Sequence, residues 1–476
     1  MRELSYKCSF NDFDLSVIAK PSIETLSLFK NSISSIQFEQ LGVFNKLECN
    51  LPFINASSFS NHVHFQKAHK TPVQRWFPYR EGYSTILVNA FIKELKIEGN
   101  VFDPFSGSGT TLLVSRHNNL NSYGIDVNPI SVLVSKVENE QYNKNDTENL
   151  ILEIEKLKNV SPSNEVFYIS FDLAKKAFNN EILQALLQFK SYIKEIQNTK
   201  IQNVFFVVWL SIIERVSNIK KEGNGVKYKN RKRTPNGYIN IEKEIWESQV
   251  FPKDKFTYVK EKIVNQLEVI LYDIQYHYGA SEKQPTIFKG SCLEFDKLFS
   301  EEISFTFFSP PYCNCFDYFE IHKIDLWLGD FVHDKEEFRL LRNSGFRSNT
   351  NSLNNKPIVY NNEHLENLIS LFNTNKLWNT KIPNVVRGYF DDTYTLLNKL
   401  FIQTSKGGYV GIVVGNSAYS GVIIPTDVLI ADIAKQIGFK VKNIFITRHL
   451  TTSSQQKQEL EPLKNYLRES IVLLKK

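Results

Sequence analysis

The chain has 476 residues, 42% of them apolar and 13% aromatic, which is enough for one large domain with an insertion or for two or three domains. Its 57 Lys and Arg against 51 Asp and Glu leave a net charge of +6, a mild excess that indicates nucleic acid only where basic residues cluster. Five irregularly spaced cysteines exclude a disulfide framework, and the lack of a signal peptide or a long apolar segment excludes a membrane protein. We expect a cytoplasmic protein.

The first part of the chain divides into an extension and the start of a sheet. Residues 1–60 mix short apolar stretches with Ser and Asn and carry no recognisable chemistry, so we interpret them as an N-terminal extension. Residues 61–139 are predicted to begin a doubly wound α/β sheet. Ser84 has the position of an N-cap for a helix that continues through Leu95.

A glycine turn joins the next strand to the next helix. Its sequence is Asp103-Pro104-Phe105-Ser106-Gly107-Ser108-Gly109-Thr110-Thr111, and Gly107 and Gly109 allow the backbone to approach a ligand closely. Asp126 ends the following strand, 17 positions after Gly109, where it can accept hydrogen bonds from ribose hydroxyls. The spacing differs from the Gly-x-Gly-x-x-Gly of dinucleotide binders, which argues against NAD. The alternative is a turn that only packs a helix against a strand.

Residues 140–284 are predicted to form a largely helical insertion, which is the candidate target-recognition region. Within it, the predicted loop Lys220 to Arg233 holds seven Lys and Arg together with two glycines and a tyrosine. Such a loop can neutralise several phosphates, and each contact steepens the salt dependence of binding. The candidate contacts to nucleic acid are Lys227, Lys229, Arg231, Lys232 and Arg233. The alternative is a solvated surface.

Residues 285–476 are predicted to complete the sheet. The apolar strand Ile303 to Phe308 leads into a rigid corner, Ser309-Pro310-Pro311-Tyr312. Further strands are predicted near 286–291, 408–414, 441–447 and 470–474, and a helix near 427–437 is predicted to end at Gly438. A loop at 343–363 is rich in Asn and Ser, and Arg342 and Arg347 are a second candidate contact with nucleic acid.

The corner has the chemistry to hold a planar amino group. Pro310 and Pro311 fix the backbone, so that the Ser309 Oγ and the Pro310 carbonyl form a pair of acceptors. An amino group held by both is steered towards tetrahedral geometry, which frees its lone pair. Tyr312 can stack on the ring that carries the amine, which for a nucleobase contributes roughly 1–3 kcal/mol. The alternative is a structural Pro-Pro turn with a buried tyrosine.

The cysteines next to the corner do not suggest a metal or a nucleophile. Cys313 and Cys315 are separated by one residue, and neither a second Cys pair nor a His pair completes a zinc site. Pyrimidine C5 chemistry requires a thiolate, but Cys313 follows Tyr312 rather than a lone proline. We interpret both cysteines as packing residues and expect no metal.

Together, the Phe-x-Gly-x-Gly turn and the Ser-Pro-Pro-Tyr corner resemble the motifs of the amino-methyltransferase family of DNA methylases. The Ser-Pro-Pro-Tyr form is most similar to the cytosine-N4 branch. The resemblance implies a Rossmann-like class I methyltransferase fold with a doubly wound, mostly parallel, seven-stranded sheet. It also implies S-adenosylmethionine as the cofactor and a base that is rotated out of duplex DNA.

The resemblance assigns roles to individual residues. Phe105, Gly107 and Gly109 would line the methionine end of the cofactor after Asp103, and Asp126 would bind the ribose. Ser291 would lie near the adenine, although an Asp is common there in the family. The residues expected to hold the target base are Ser309, Pro310, Pro311 and Tyr312.

The resemblance further implies a substrate and partners. We expect methylation of cytosine N4 in a specific sequence of double-stranded DNA, with a cognate restriction endonuclease as a candidate partner. Three alternatives stay open at this point. They are adenine-N6 methylation of DNA, methylation of an RNA base, and a non-catalytic nucleic-acid-binding protein on a methylase fold.

Overall fold

A computed structural model describes residues 9–18, 33–63, 71–167, 171–223, 225–234, 237–279, 281–354, 356–451 and 456–476. The described strands are β1 (Ser16–Val17), β2 (Phe53–Asn55), β3 (Val101–Asp103), β4 (Ser122–Asp126), β5 (Ile219–Glu222), β6 (Gly225–Tyr228), β7 (Arg231–Thr234), β8 (Gly237–Asn240), β9 (Thr286–Lys289), β10 (Ile303–Phe308), β11 (Thr404–Gly415), β12 (Ser417–Tyr419), β13 (Val422–Ile424), β14 (Lys440–His449) and β15 (Arg468–Lys475).

The helices cover both faces of the main sheet and build most of the segment between β4 and β9. They are α1 (Ser35–Glu48), α2 (Thr85–Glu94), α3 (Thr110–His117), α4 (Pro129–Asn139), α5 (Lys144–Lys158), α6 (Asp172–Ala177), α7 (Asn180–Glu195), α8 (Thr199–Ile212), α9 (Lys243–Val250), α10 (Lys255–Tyr276), α11 (Tyr318–Ile321), α12 (Lys323–Leu328), α13 (Lys335–Asn343), α14 (Glu363–Ser370), α15 (Ile382–Gln403), α16 (Thr426–Ile437) and α17 (Lys457–Leu460). Among the described residues, no helix is both long and apolar enough to cross a membrane.

Two helix ends that the sequence predicts are confirmed. The Ser84 hydroxyl accepts a hydrogen bond from the Leu87 backbone N–H and caps α2 at its N-terminus. Gly438 follows the last residue of α16 with a φ of 120°, a conformation that few other residues adopt without strain.

The main sheet has nine strands within the described residues, in the order β1-β2-β14-β15-β11-β10-β3-β4-β9. The strands from β11 to β9 are parallel to their neighbours, whereas β15 pairs antiparallel with both β11 and β14. The mixed α/β fold with a largely parallel sheet therefore agrees with the class I methyltransferase fold. The prediction of seven strands is wrong, because β1 and β2 from the N-terminal segment extend the sheet beyond β14.

The order of the strands reverses between β3 and β10. The chain moves from β3 outward through β4 to β9 and then returns to the other side of β3 with β10. Phe305 of β10 pairs with Val101 of β3, so the loops that follow the two strands leave the sheet side by side. In open α/β sheets, ligands bind in the crevice at such a switch point.

The alternation of side chains along the central strands explains why the sheet is covered on both faces. In β10, Phe305 and Phe307 pack into one core with α2, and Phe308 packs into the other core with α15 and α16. Successive side chains of a strand point to opposite faces, so a continuous apolar run indicates burial on both.

The segment 140–284 contains helices α5 to α10 and two hairpins. A third apolar core joins these helices to α3, α4 and the segment around Trp76. The loop predicted for Lys220 to Arg233 is wrong, because β5 pairs with β6 and β7 pairs with β8 as two antiparallel hairpins. Only Val226 to Lys229 alternates apolar and basic residues, and the other basic residues are consecutive, so the segment shows little strand periodicity.

Candidate active site

A cavity of about 720 Å³ opens at the switch point between β3 and β10. It is lined both by the glycine turn and by the Ser-Pro-Pro-Tyr corner, which lie some 200 positions apart in the sequence. The ring of Phe105 stacks on the ring of Phe308, with 5.5 Å between the centroids. Eight predicted site residues line this cavity, namely Phe105, Gly107, Asp126, Ser291, Ser309, Pro310, Pro311 and Tyr312.

The glycine turn forms one wall of the cavity. Gly107 has a φ of 51°, and a Cβ there would lie 2.8 Å from the Cε1 atom of Tyr79. The Tyr79 ring therefore lies against the turn and forms part of the cavity wall. Gly109, with a φ of 89°, lies behind the wall, where a Cβ would meet the Ser135 Oγ at 2.4 Å. Gly109 thus serves helix packing and does not line the cavity.

Asp103 supports the glycine turn through hydrogen bonds. It is buried, and its carboxylate accepts hydrogen bonds from the Phe105 backbone N–H and the Tyr83 hydroxyl, each over 3.0 Å. Burial raises the pKa of Asp103 to about 7 despite these hydrogen bonds. Asp103 does not line the cavity, so the structure places it as a support of the turn.

Asp126 lies at the end of β4 and faces the cavity. One carboxylate oxygen accepts a hydrogen bond from the Gly107 backbone N–H over 3.0 Å, and the other accepts one from the Asn128 backbone N–H over 2.8 Å. Burial raises the pKa of Asp126 to about 6, and these N–H groups hold it below the value that burial alone would give. Each carboxylate oxygen has a further lone pair for a ligand hydroxyl.

Ser309 begins the corner directly after β10. Its hydroxyl donates a hydrogen bond to the Val413 carbonyl of the neighbouring strand β11 over 3.1 Å. Because the hydroxyl proton is used there, the lone pairs of Oγ remain as acceptors at the cavity. Pro310 and Pro311 also line the cavity, and neither carries a backbone N–H. This end of the cavity therefore offers hydrogen-bond acceptors.

Tyr312 is held at its hydroxyl and along its ring. The hydroxyl donates a hydrogen bond to Glu469 of β15, and a Cβ on Gly415 would lie 2.9 Å from the Tyr312 Cε2 atom. Glu469 also pairs with Arg448 of β14 over 2.5 Å. Burial raises the pKa of Tyr312 well above its ordinary value, and the negative charge of Glu469 raises it further. The hydroxyl therefore keeps its proton.

Several residues of the cavity had no predicted role there. Arg448 and Glu469 reach it because β14 and β15 pair next to β11. Lys221 of β5 also lines the cavity, and its ammonium pairs with Asp325, which accepts from His322 as well. The contacts of Lys221 with Asp325 and of Glu469 with Tyr312 join distant parts of the chain, and no local sequence signal marks them.

Comparison with known proteins agrees with this geometry. A family described as DNA methylase matches residues 84–137, which include the glycine turn and Asp126. The Type II methyltransferase M.AvaI of Nostoc sp. is 27% identical over 416 residues, which cover 81% of this chain and 82% of that protein. The Type II methyltransferase M.BsoBI of Geobacillus stearothermophilus is 26% identical over 493 residues, with 94% and 92% covered. These matches support the assignment of the chain to the amino-methyltransferase family of DNA methylases.

The methyl donor of this methyltransferase is S-adenosylmethionine, and the residues present fit it. The Ser106 Oγ is buried at the cavity wall and has no hydrogen-bond partner among the described residues, as expected where a polar ligand completes the site. The close approach of Gly107 to Tyr79 leaves no room for a side chain at position 107.

Two predicted nucleic-acid contacts of the methyltransferase are contradicted. Arg347 is 3% exposed, and its guanidinium pairs with Asp391 and Asp392, so it is not available to a phosphate. The Lys229 ammonium donates to the carbonyls of Glu214 and Ser217 and fixes the base of a hairpin. Both side chains read as surface charges in the sequence, but the fold uses them internally.

The other basic candidates of the methyltransferase lie on the hairpins. Lys227 is exposed and pairs with Glu222 over 3.5 Å. Arg231 and Lys232 are exposed on β7. The side chain of Arg233 lies outside what the structure describes. Arg342, which was predicted together with Arg347 as a second contact to nucleic acid, pairs with Asp317 and Glu320 and is not available to a phosphate either.

Proposed function

We propose that this methyltransferase transfers a methyl group to the N4 atom of cytosine in a specific sequence of double-stranded DNA. The observation that carries the proposal is the joint cavity of the glycine turn and the corner, in which Ser309 presents Oγ as an acceptor because its proton is engaged by Val413. An exocyclic amine has two N–H donors, which match the Ser309 Oγ and the Pro310 carbonyl. The choice of cytosine rests on the resemblance of the corner to the N4 branch.

The cofactor-binding residues of the proposal are those on the turn side of the cavity. Phe105 and Gly107 would contact the methionine end, Asp126 would accept from the ribose hydroxyls, and Ser291 would lie near the adenine. S-adenosylmethionine supplies a methyl group on a positively charged sulfur, which an amine lone pair can attack.

The corner prepares the amine for this attack. Ser309 and Pro310 accept its two hydrogens and draw the nitrogen towards tetrahedral geometry, which localises the lone pair. Tyr312 stacks on the base, and this contact helps to offset the few kcal/mol needed to rotate the base out of the duplex. In the transfer, the N–C bond forms as the C–S bond breaks, and the surplus proton on nitrogen leaves to water. A dedicated base is therefore not required.

The biological setting proposed is restriction–modification. The relatives M.AvaI and M.BsoBI carry the name Type II methyltransferase. We infer a cognate restriction endonuclease of the same specificity, from whose cleavage the methylated sequence would be protected. DNA from cells that express the chain should then resist at least one of a panel of methylation-sensitive endonucleases.

Mass analysis of nucleosides from treated DNA tests the choice of base. N4-methylcytosine is the expected product, and it should be lost with Ser309→Ala, which removes one acceptor of the amine. N6-methyladenine would overturn the cytosine assignment. If no methylated base forms in DNA, the same assay on RNA decides whether RNA is the substrate. If neither DNA nor RNA is methylated, the protein is a non-catalytic nucleic-acid-binding protein.

A further inference from the structure

The β7–β8 hairpin is an exposed ribbon on a fixed base. All four residues of β8 are exposed, with Tyr238 at 58% and Ile239 at 55% of their full accessibility. At the base, the side chains of Asn218 and Asn230 bond to each other over 2.9 Å, and the Asn230 side chain also donates to the Ile241 carbonyl over 2.8 Å. Asn218 is buried, so the ribbon projects from a rigid point.

The ribbon is joined to a hairpin that lines the candidate active site. The preceding hairpin, β5–β6, contributes Lys220, Lys221, Glu222 and Gly223 to the lining of the cavity. The Lys229 backbone N–H, between β6 and β7, donates to the Asn218 carbonyl over 2.8 Å and closes the base of β5–β6, from which the chain continues into β7. A duplex that delivers a base to the cavity therefore approaches β5–β6, the hairpin to which the ribbon is joined.

One face of the ribbon carries side chains that can read bases. Arg231 is paired directly opposite Asn240, and Tyr238 lies two residues before Asn240, on the same face. The Arg231 guanidinium lies 4.3 Å from the centre of the Tyr238 ring, which confirms the shared face and holds the guanidinium in place. The opposite face carries Lys232 next to Ile239.

The size and chemistry of the ribbon match the major groove of DNA. That groove admits a two-stranded β-ribbon, and Arg pairs there with guanine O6 and N7, as Asn does with adenine N6 and N7. Among the described residues of the ribbon there is no acidic side chain, so its charge is complementary to the phosphates. The exposed side chains of Tyr238 and Ile239 would by themselves favour a protein partner. Such a partner does not explain why Arg231 and Asn240 share one face.

We propose that the β7–β8 hairpin enters the major groove of the target duplex and reads base edges through Arg231 and Asn240. The inference rests on the proposed DNA methylation and assigns the sequence recognition of that activity to one element. Lys232, on the other face, contacts the phosphate backbone and carries no base discrimination.

The test is to map every methylated site on a library of random duplexes for the wild type, Arg231→Ala, Asn240→Ala and the matched control Lys232→Ala. Because these side chains are exposed, the variants should fold, which an unchanged affinity for S-adenosylmethionine verifies. Arg231→Ala and Asn240→Ala should each relax discrimination at one base pair by roughly 5- to 150-fold. Lys232→Ala should weaken binding equally for all sequences and reduce the salt slope by about one.

The outcomes separate this proposal from the proposed function. If the wild type modifies no DNA, the proposed function fails, and the hairpin proposal fails with it. If the wild type modifies a defined sequence and both Arg231→Ala and Asn240→Ala discriminate as well as the wild type, the hairpin proposal alone fails. It fails too if the wild type is a dimer in solution and Ile239→Ser converts it into a monomer while base discrimination is unchanged. The ribbon would then join two copies of the chain.

Discussion

The Tyr312 hydroxyl donates a hydrogen bond over 2.6 Å to the Oε1 atom of Glu469, 157 positions later in the chain. Glu469 is buried, and its other oxygen is taken by Arg448. The ring of Tyr312 is thereby fixed beside Gly415, next to the acceptors of the corner. The strand β15 at the end of the chain thus positions an aromatic ring that follows β10.

The first prediction concerns this ring. Tyr312→Ala should lower the rate of methylation on the order of 100-fold, because it removes the stacking surface for a base. The affinity for S-adenosylmethionine should stay within about 2-fold. Tyr312→Phe is the matched control, since it keeps the ring and loses only the hydrogen bond to Glu469. Single-turnover methylation and calorimetry with the cofactor measure the two effects, and an active alanine variant would contradict the role given to the ring.

The second prediction is a pH dependence of cofactor binding. Above pH 7 Asp126 is ionised, and a carboxylate accepts stronger hydrogen bonds from ribose hydroxyls than a neutral acid. In the protein without cofactor, the pKa of Asp126 is raised to about 6. The affinity for S-adenosylmethionine should therefore fall as the pH decreases through 6. Asp126→Asn should bind S-adenosylmethionine on the order of 10-fold more weakly at pH 8, and its affinity should no longer change with pH around 6. Titration calorimetry at several pH values checks both, and a pH profile that Asp126→Asn retains would refute the assignment.

The central part of the fold and both sides of the cavity could be predicted from short segments. The turn at Gly107 and the corner at Ser309 each follow a buried strand, and strands of a doubly wound sheet place such loops at one edge. Their sequence separation did not obscure the site, because the carboxyl ends of β3 and β10 are neighbours.

The remaining features depend on contacts that no local pattern encodes. Arg347 reads as a surface charge in a polar loop, and only the packing of α15 against that loop shows that Asp391 and Asp392 neutralise it. The N-terminal strand β2 is three residues long, and it pairs with β14 from almost 400 positions away. Short edge strands carry little periodicity, so the count of seven strands missed two.

The third prediction separates a glycine that lines the cavity from one that does not. Gly107→Ala should destabilise the turn by about 1–3 kcal/mol, because its φ of 51° is unfavourable for alanine and the Cβ meets Tyr79. Cofactor affinity should fall by more than 10-fold. Gly42→Ala, in helix α1 with no heavy atom within 4 Å of the new Cβ, is the control and should be neutral or stabilising by up to about 1 kcal/mol. Urea unfolding and calorimetry measure both, and equal behaviour of the two variants would count against the prediction.

The fourth prediction tests the internal role of Arg347. Its guanidinium and the carboxylates of Asp391 and Asp392 are all buried, so Arg347→Ala leaves two negative charges without their partner and should lower the free energy of unfolding by about 3–5 kcal/mol. Because Arg347 does not reach the surface, the slope of DNA affinity against salt concentration should stay unchanged. Lys232→Ala is the matched control, with a reduced salt slope and unaltered stability. Urea unfolding and salt-dependent binding, measured below the unfolding midpoint, distinguish the two, and a reduced salt slope for Arg347→Ala would restore Arg347 as a contact to phosphate.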